Sequence, residues 1–195
     1  EELAAVKRII VQNVASSGHA VLNAADPLVV DMAEHCPGSV IFFARDNLHH
    51  PVLATHHAQH KRVIYLQGQY IVASGENGEH KIALKNIPLT QDGSIYFQIE
   101  NAMAAIGAAW ALGFDWKVIR EGLSSFISDS QTAPGRFNLF NYRNATLIAD
   151  YGHNPDAIQA LVSAIDNIPS KKRSVVISAA GDRRDEDIRL QTRII

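Results

Sequence analysis

The residues best suited to chemistry form the sequence Asp-Tyr-Gly-His-Asn-Pro-Asp at positions 150–156. Asp150 follows a predicted buried strand, and Asn154-Pro155 is a typical start for a helix. In open α/β sheets, ligands bind at this carboxyl edge of the strands, and free N–H groups of the next helix favour an anion there. The carboxylate of Asp150 can therefore accept hydrogen bonds from ribose hydroxyls, or it can cap its own loop by bonding backbone groups.

Three further positions have side chains that can contact a ligand. Arg136 follows Gly135 at a predicted domain junction, where an arginine either pairs bidentately with phosphate or is an ordinary surface residue. Asn101 interrupts an apolar helix, and its amide can bond an adenine edge or bridge neighbouring groups. The charged residues 181–187 follow a predicted strand, so they either face a ligand or begin a solvated helix.

Five histidines lie close together between residues 49 and 60, at positions His49, His50, His56, His57 and His60. His56 and His60 would share one face of a helix, with a spacing compatible with zinc. However, no cysteine or acidic residue lies between Leu48 and His60. The segment is therefore predicted to be a solvent-exposed loop and no metal ligand is assigned, with a histidine-rich metal site as the alternative.

Composition limits the classes of protein that need to be considered. The chain has 195 residues, 47% of them apolar, and a net charge of −2, which gives no electrostatic basis for binding nucleic acid or an anionic membrane surface. It has no run of 18 apolar residues, so no membrane span is predicted. Its single cysteine, Cys36, is typical of a reducing cytoplasm and excludes an internal disulfide framework.

The elements that must position these residues are predicted from hydrophobic periodicity and from turn residues. A helix, a strand, a helix and a second strand within residues 3–43 indicate an α/β sheet. Strand-like segments then follow at 62–66, 69–73 and 79–84, and two helices follow at 99–112 and from Asp115 onward. The polar stretch at 128–135 is the predicted linker between two domains.

After the linker the pattern starts again. Strands are predicted at 137–140 and 145–149, a helix from Asn154, and a buried strand at 174–180, which together form a strand–helix–strand unit of the doubly wound kind. One such unit has too few strands to bury both faces of a parallel sheet. We therefore expect residues 135–195 to be the less stable part of the chain, and the isolated chain to associate.

The order of these motifs resembles the second half of a member of the Mur ligase superfamily. The similarity rests on Asn101-Ala-Met-Ala-Ala-Ile, then Gly135-Arg136, then the segment from Asp150 to Asp156, and it covers nearly the whole chain. Finer similarity links the chain to the members that add arginine to a poly-aspartate backbone. It lies in Val21-Leu-Asn-Ala-Ala-Asp-Pro27, Ile87-Pro-Leu-Thr90, Gly135-Arg-Phe-Asn-Leu-Phe140 and Gly181-Asp-Arg-Arg-Asp-Glu-Asp187.

The resemblance implies an α/β fold: residues 1–132 as the later part of the central ATP-binding domain, and 135–195 as the start of a Rossmann-like C-terminal domain. It implies contacts from Asn101 to adenine, from Arg136 to the phosphates and from Asp150 to the ribose. His153 and Asn154 would lie beside the nucleotide, with Arg136 and His153 as the catalytic candidates. The amino-acid substrate would meet Gly181, Asp182, Arg183 and Arg184.

The implied activity is amide-bond formation through an acyl phosphate, driven by ATP with Mg²⁺, in a cytoplasmic and homo-oligomeric parent enzyme whose substrates are arginine and poly-aspartate. The sequence departs from the family at Ala25, where a second acid is common, and at Gly152, where alanine is common. It also contains no Gly-x-x-x-x-Gly-Lys-Ser/Thr loop, so we expect a fragment that is inactive alone. The alternatives are another Mur-type ligase, for a peptidoglycan precursor or folylpolyglutamate, and a non-catalytic nucleotide-binding or assembly module.

Overall fold

The computed structural model describes residues 2–178 and 184–195. The chain divides into two compact units, one formed by Glu1–Gly93 with Gln98–Phe126 and the other by Ser94–Phe97 with Ile127–Ile195. The division after Phe126 lies close to the linker predicted at 128–135. The inclusion of Ser94–Phe97 in the second unit was not predicted; it follows from the packing of Ile95 and Phe97 in the core of that unit.

The first unit is built on a five-stranded sheet. Its strands are β1 (His19–Asn23), β2 (Ser39–Ala44), β3 (Val63–Gln67), β4 (Tyr70–Gly75) and β5 (Gly78–Ala83), in that spatial order. The first three strands are parallel, and β3, β4 and β5 form an antiparallel meander. The predicted strands are therefore all present in this unit, and the α/β class is confirmed.

Helices cover both faces of this sheet because successive strand residues point to opposite sides. The helices are α1 (Glu2–Gln12), α2 (Pro27–Val30), α3 (Pro51–Ala58), α4 (Tyr96–Ala111) and α5 (Trp116–Ser125). One core joins the face of Ile41 and Ile64 to Ile99 and Ile106 of α4. The second core joins the opposite face to α1 and α3. Asp26 and Asp115 cap α2 and α5, as their positions in the sequence predict.

The prediction of a solvent-exposed loop for the histidine-rich segment is wrong, because residues 51–58 form α3. Pro51 occupies the first turn of this helix, where its missing N–H costs nothing, and Leu53 is fully buried. His56 is buried with its Nε2 atom 2.9 Å from the carbonyl oxygen of Val40, and His57 lies 2.9 Å from the hydroxyl of Ser74. These histidines therefore join the helix to the sheet. Within residues 2–178 and 184–195, no three metal-ligating side chains cluster.

The second unit contains a two-stranded antiparallel hairpin and two helices. Strands β6 (Asn138–Tyr142) and β7 (Ala145–Ala149) pair from Asn138 with Ala149 to Tyr142 with Ala145. Helices α6 (Pro155–Asp166) and α7 (Asp185–Ile194) follow. Its buried core is small: Ile95, Phe137 and Ala164 form a cluster with partly buried neighbours, and Ile158 of α6 is also buried. Every helix in the described part of the chain is too short or too polar to cross a bilayer.

The prediction of a buried strand at 174–180 is wrong for residues 174–178, which form no strand. Val175, Val176 and Ile177 are exposed, Val176 by 98%. The physical reason is the lack of a neighbour, since β6 and β7 pair only with each other among the described residues. A buried parallel strand needs paired strands and covered faces. The predicted strand–helix–strand unit is therefore absent there, and residues 179 and 180 lie outside the described residues.

Candidate functional site

Two loops of the second unit adjoin because of the register of the hairpin. Asn138, the first residue of β6, pairs with Ala149, the last residue of β7. The loop that precedes β6 (residues 133–137, the arginine loop) therefore lies beside the one that follows β7 (residues 150–154, the aspartate loop). A backbone hydrogen bond of 2.8 Å from the N–H of Tyr151 to the carbonyl of Gly135 joins them. Arg136 is thus on a loop that adjoins the loop carrying Asp150, His153 and Asn154, and their contacts to a nucleotide stay predictions.

Asp150 connects the two loops through both oxygens of its carboxylate. Oδ2 accepts from the backbone N–H of Phe137 at 2.8 Å, and Oδ1 accepts from that of Gly152 at 2.6 Å. The loop-capping interpretation of this residue is therefore realised in the structure. Each carboxylate oxygen can accept a second hydrogen bond, so contact with a ribose stays a prediction for the same side chain.

Arg136 lies between two residues with left-handed backbone conformations. Gly135 has φ +69° and Phe137 has φ +52°, and the latter value is uncommon for a residue other than glycine. Phe137 tolerates this conformation because its side chain is buried and its N–H is bonded to Asp150. The side chain of Arg136 is exposed, with its guanidinium carbon 6.0 Å from the ring centroid of Tyr151.

Asn138 is a site residue that sequence reasoning missed. Its side chain is almost fully buried, at 1% exposure, at the start of a strand whose other residues are exposed. The amide oxygen accepts from the N–H of Gly135 at 2.7 Å, and the amide nitrogen donates to the carbonyl of Ala133 at 3.0 Å. The available signal is an amide residue two positions after Arg136, at the first position of the strand Asn-Leu-Phe-Asn-Tyr.

The aspartate loop ends at the start of α6. Asn154 caps this helix by accepting from the N–H of Ala157 at 2.8 Å, as its position in the sequence predicts. The Nδ1 atom of His153 lies 3.0 Å from the carbonyl of Tyr151. A carbonyl can only accept, so Nδ1 carries a proton and the outer nitrogen, Nε2, is left for a ligand. The buried Gln191 of α7 donates to the carbonyl of His153 at 2.9 Å and fixes this turn.

The remaining predicted site residues lie elsewhere. Asn101 belongs to the first unit, where its exposed amide donates to Gln98 at 3.0 Å, so the bridging interpretation is realised and an adenine contact stays a prediction. Arg184 is exposed and forms a bidentate pair with Asp187, with both N–O distances 3.0 Å. Gly181, Asp182 and Arg183 lie outside the described residues.

The first unit has its own concave feature at the carboxyl ends of β2 and β3. A groove of about 610 Å³ is lined by residues 45–49 and 65–68. Beside it, Glu100 is half-buried with its carboxylate 3.8 Å from the guanidinium of Arg45. Burial raises the pKa of Glu100, and the charge of Arg45 opposes that rise. This is the edge of a parallel sheet at which ligands bind.

Comparison with known proteins identifies the class to which these features belong. Residues 135–194, nearly all of the second unit, match the family model described as Mur ligase, glutamate ligase domain. The fold agrees, since the chain superposes with TM-score 0.60 on MurF from Acinetobacter baumannii over 86% of this chain and 33% of that one, at 19% identity. It superposes with TM-score 0.54 on E. coli FolC over 87% and 35%, at 20% identity. In fold the chain is therefore similar to these two proteins, and residues 135–194 are similar to the Mur ligase, glutamate ligase domain.

Within that class, the chain is similar over its whole length to cyanophycin synthetases. It is 36% identical to the enzyme of Geminocystis herdmanii (strain PCC 6308) over 197 residues, and 35% identical to that of Crocosphaera subtropica (strain ATCC 51142 / BH68) over 195 residues. In both cases the match covers 100% of this chain and 22% of the relative. The chain thus spans about a fifth of the length of these relatives, and the resemblance found in the motifs is confirmed.

Proposed function

We propose that the chain is part of an ATP-dependent carboxylate–amine ligase that joins arginine to the side-chain carboxylates of a poly-aspartate backbone. The observation that carries the proposal is the junction of the arginine and aspartate loops. There an exposed guanidinium, an imidazole nitrogen and a helix N-terminus lie on loops fixed by Asp150. Such groups attract phosphate. The similarity to cyanophycin synthetases supports this choice of amino acid and acceptor.

The proposed reaction has two steps. The γ-phosphoryl group of ATP moves to a substrate carboxylate, which gives an acyl phosphate and ADP. The amine then attacks the acyl carbon, the C–N bond forms, the bond to phosphate breaks, and the amine loses a proton. Arg136 stabilises charge on the phosphate oxygens, and the imidazolium form of His153, with a proton on each ring nitrogen, donates a hydrogen bond from Nε2 to the same group.

The other proposed contacts are those from Asn101 to adenine, from Asp150 to the ribose, and from Gly181, Asp182, Arg183 and Arg184 to the amino-acid substrates. A Mg²⁺ ion accompanies ATP in such chemistry and neutralises phosphate charge. No cluster of three metal-ligating side chains is present in the described part of the chain. Phosphate oxygens of the nucleotide would be among the ligands of that ion.

An NMR titration of the ¹⁵N-labelled chain with ATP tests the nucleotide role. We expect amide signals of residues 135–137 and 150–154 to move at millimolar ATP, while those of the exposed β6–β7 turn do not. No movement in either loop would contradict the proposal. The same samples should show no arginine-dependent release of phosphate, because the sequence has no Gly-x-x-x-x-Gly-Lys-Ser/Thr loop to hold the β- and γ-phosphates.

A second candidate is a Mur-type ligase for a different amino acid. A diaminopimelate-adding ligase from Alkaliphilus metalliredigens (strain QYMF) is 33% identical over 88 residues, 45% of this chain and 17% of that enzyme. In a ligase that carries this chain together with a phosphate-binding loop, phosphate release should depend on arginine and poly-aspartate. Dependence on diaminopimelate or on glutamate would favour a peptidoglycan or folylpolyglutamate ligase instead. ATP binding with no amino-acid dependence at all would favour a non-catalytic assembly module.

A further inference from the structure

We propose that Asn138 is a positioning residue that acts through Arg136 by fixing the arginine loop in its ligand-binding shape. The inference rests on the proposed function of Arg136 as a phosphate contact. Asn138 itself is buried and cannot touch a ligand directly. Its effect on binding must therefore pass through the backbone that it holds.

The amide of Asn138 bonds the loop on both sides of the turn. Its oxygen accepts from Gly135 at 2.7 Å, and its nitrogen donates to Ala133 at 3.0 Å and, more weakly, to the carbonyl of Arg136 at 3.4 Å. One side chain therefore satisfies three backbone groups within a four-residue turn. These backbone groups are partly buried and need such partners, and a side-chain amide can both donate and accept.

The conformation that Asn138 holds is an uncommon one. Residues on both sides of Arg136 have positive φ, at Gly135 and Phe137. A conformation of this kind persists only when its surroundings over-determine it. Asn138 supplies one constraint, and the bond from the N–H of Phe137 to Asp150 supplies another. The Arg136 side chain is exposed, with its guanidinium carbon 6.0 Å from the centre of the Tyr151 ring, so the direction of its guanidinium depends on this backbone.

The first test uses the ligand-free chain. Asn138→Ala should shift the amide signals of residues 133–137 and alter the Nε–Hε signal of Arg136. The matched control is Asn141→Ala, an exposed asparagine on the same strand, which should leave these signals unchanged. An Asn138→Ala variant that remains folded and shows wild-type signals for the arginine loop would overturn the inference. Asn138→Asp, which keeps the acceptor for Gly135 and loses the donor, serves if the alanine variant does not fold.

The second test separates positioning from general stability. Tripolyphosphate and adenosine are titrated separately as probes of the phosphate and base ends. Asn138→Ala should weaken binding of tripolyphosphate about 10- to 100-fold, the effect of misplacing an oriented group, and leave adenosine binding unchanged. In the Arg136→Ala background it should add little, because coupled residues are non-additive. Equal losses for both probes, or full additivity with Arg136→Ala, would reduce Asn138 to a structural residue and overturn the inference.

The outcomes distinguish this inference from the proposed function. If tripolyphosphate does not shift the amide signals of the arginine loop in the wild-type chain, the phosphate role of Arg136 is contradicted, and so is the inference. If the wild-type chain responds and Asn138→Ala responds equally well, the proposed function stands and the inference alone is overturned.

Discussion

Different interactions stabilise each of the two units of this chain. In the first unit, both faces of a five-stranded sheet are covered, and buried aliphatic side chains from strands and helices form two cores. In the described part of the second unit, four apolar side chains are buried, and the hairpin is mostly exposed. There, side-chain hydrogen bonds to the backbone fix the loops, and they come from Asn138, Asp150, Asn154 and Gln191. Apolar burial therefore stabilises the first unit, whereas a few polar side chains fix the shape of the candidate site.

The largest expected effect is on the stability of the first unit. Ile106→Ala removes a fully buried side chain from the core that joins α4 to the sheet. It should lower the free energy of unfolding by about 2–5 kcal/mol. Urea denaturation followed by tryptophan fluorescence reports on this unit alone, because Trp110 and Trp116 are the two tryptophans of the chain. The control Leu112→Ala removes an exposed side chain and should change little; equal effects would contradict the apolar account.

The next effect concerns catalysis in a ligase that carries this chain together with a phosphate-binding loop. Arg136→Ala should lower kcat/KM for ATP about 100-fold, because a charge-stabilising donor is worth about 3 kcal/mol in the transition state. Arg136→Lys should recover only part of the loss, since an ammonium cannot reproduce the bidentate fork. Arg189→Ala, on the exposed surface of α7, is the control. Unchanged kinetics for Arg136→Ala would remove Arg136 from the site.

A substitution of Asp150 tests whether polar side chains fix the loops of the second unit. Asp150→Asn turns one acceptor into a donor that faces a backbone N–H, so it should destabilise the second unit by about 1–3 kcal/mol and weaken ATP binding. Thermal unfolding and an ATP titration on the same protein separate the two effects. Asp156→Asn, at an exposed position of α6, should have a smaller effect on both. A variant with weaker ATP binding and wild-type stability would mean that the ribose contact, not the loop brace, is the role of Asp150.

A smaller effect should appear as a pH dependence of the first unit. Burial lowers the pKa of His56 below its ordinary value of 6.5, so the folded state resists its protonation. The stability that this provides is present above pH 6.5 and is lost as pH falls through the lowered pKa. His56→Gln keeps a donor for the carbonyl of Val40 and removes the titration. Between about pH 7.5 and about pH 5, its Tm should therefore fall less than that of the wild type; His49→Gln, at an exposed position, should behave as the wild type.

Much of the first unit could be predicted from sequence because its signals are local. Short apolar runs predict the strands, and Asp26 and Asp115 mark helix starts that the structure confirms. Helix α3 is not predicted, because nothing local in the sequence shows that its histidines contact the sheet. Their partners, Val40 and Ser74, lie 16 and 17 residues away in the chain. Pro51 was the local signal for that helix.

The second unit was harder to predict because its shape depends on pairs that are distant in sequence. Nothing local to Phe137 indicates a left-handed backbone, which depends on Asp150, 13 residues later. The apolar residues at 174–178 have the composition of a buried strand, but composition cannot show whether neighbouring strands exist to pair with it. The sequence predicts Arg136 before a strand and Asn154 as a helix cap, whereas the adjoining of the two loops and the role of Asn138 depend on the register of the hairpin.

Hydrogen exchange of the wild-type chain, measured with and without ATP, tests whether the first unit is the more stable one and whether the loops of the second unit bind the nucleotide. Without ATP, amides of α4 within residues 99–111 should exchange slowly and those of residues 174–178 quickly, because protection follows burial and hydrogen bonding. ATP should slow exchange at residues 135–137 and 150–154. Equal protection in both units, together with no effect of ATP on either loop, would contradict the account.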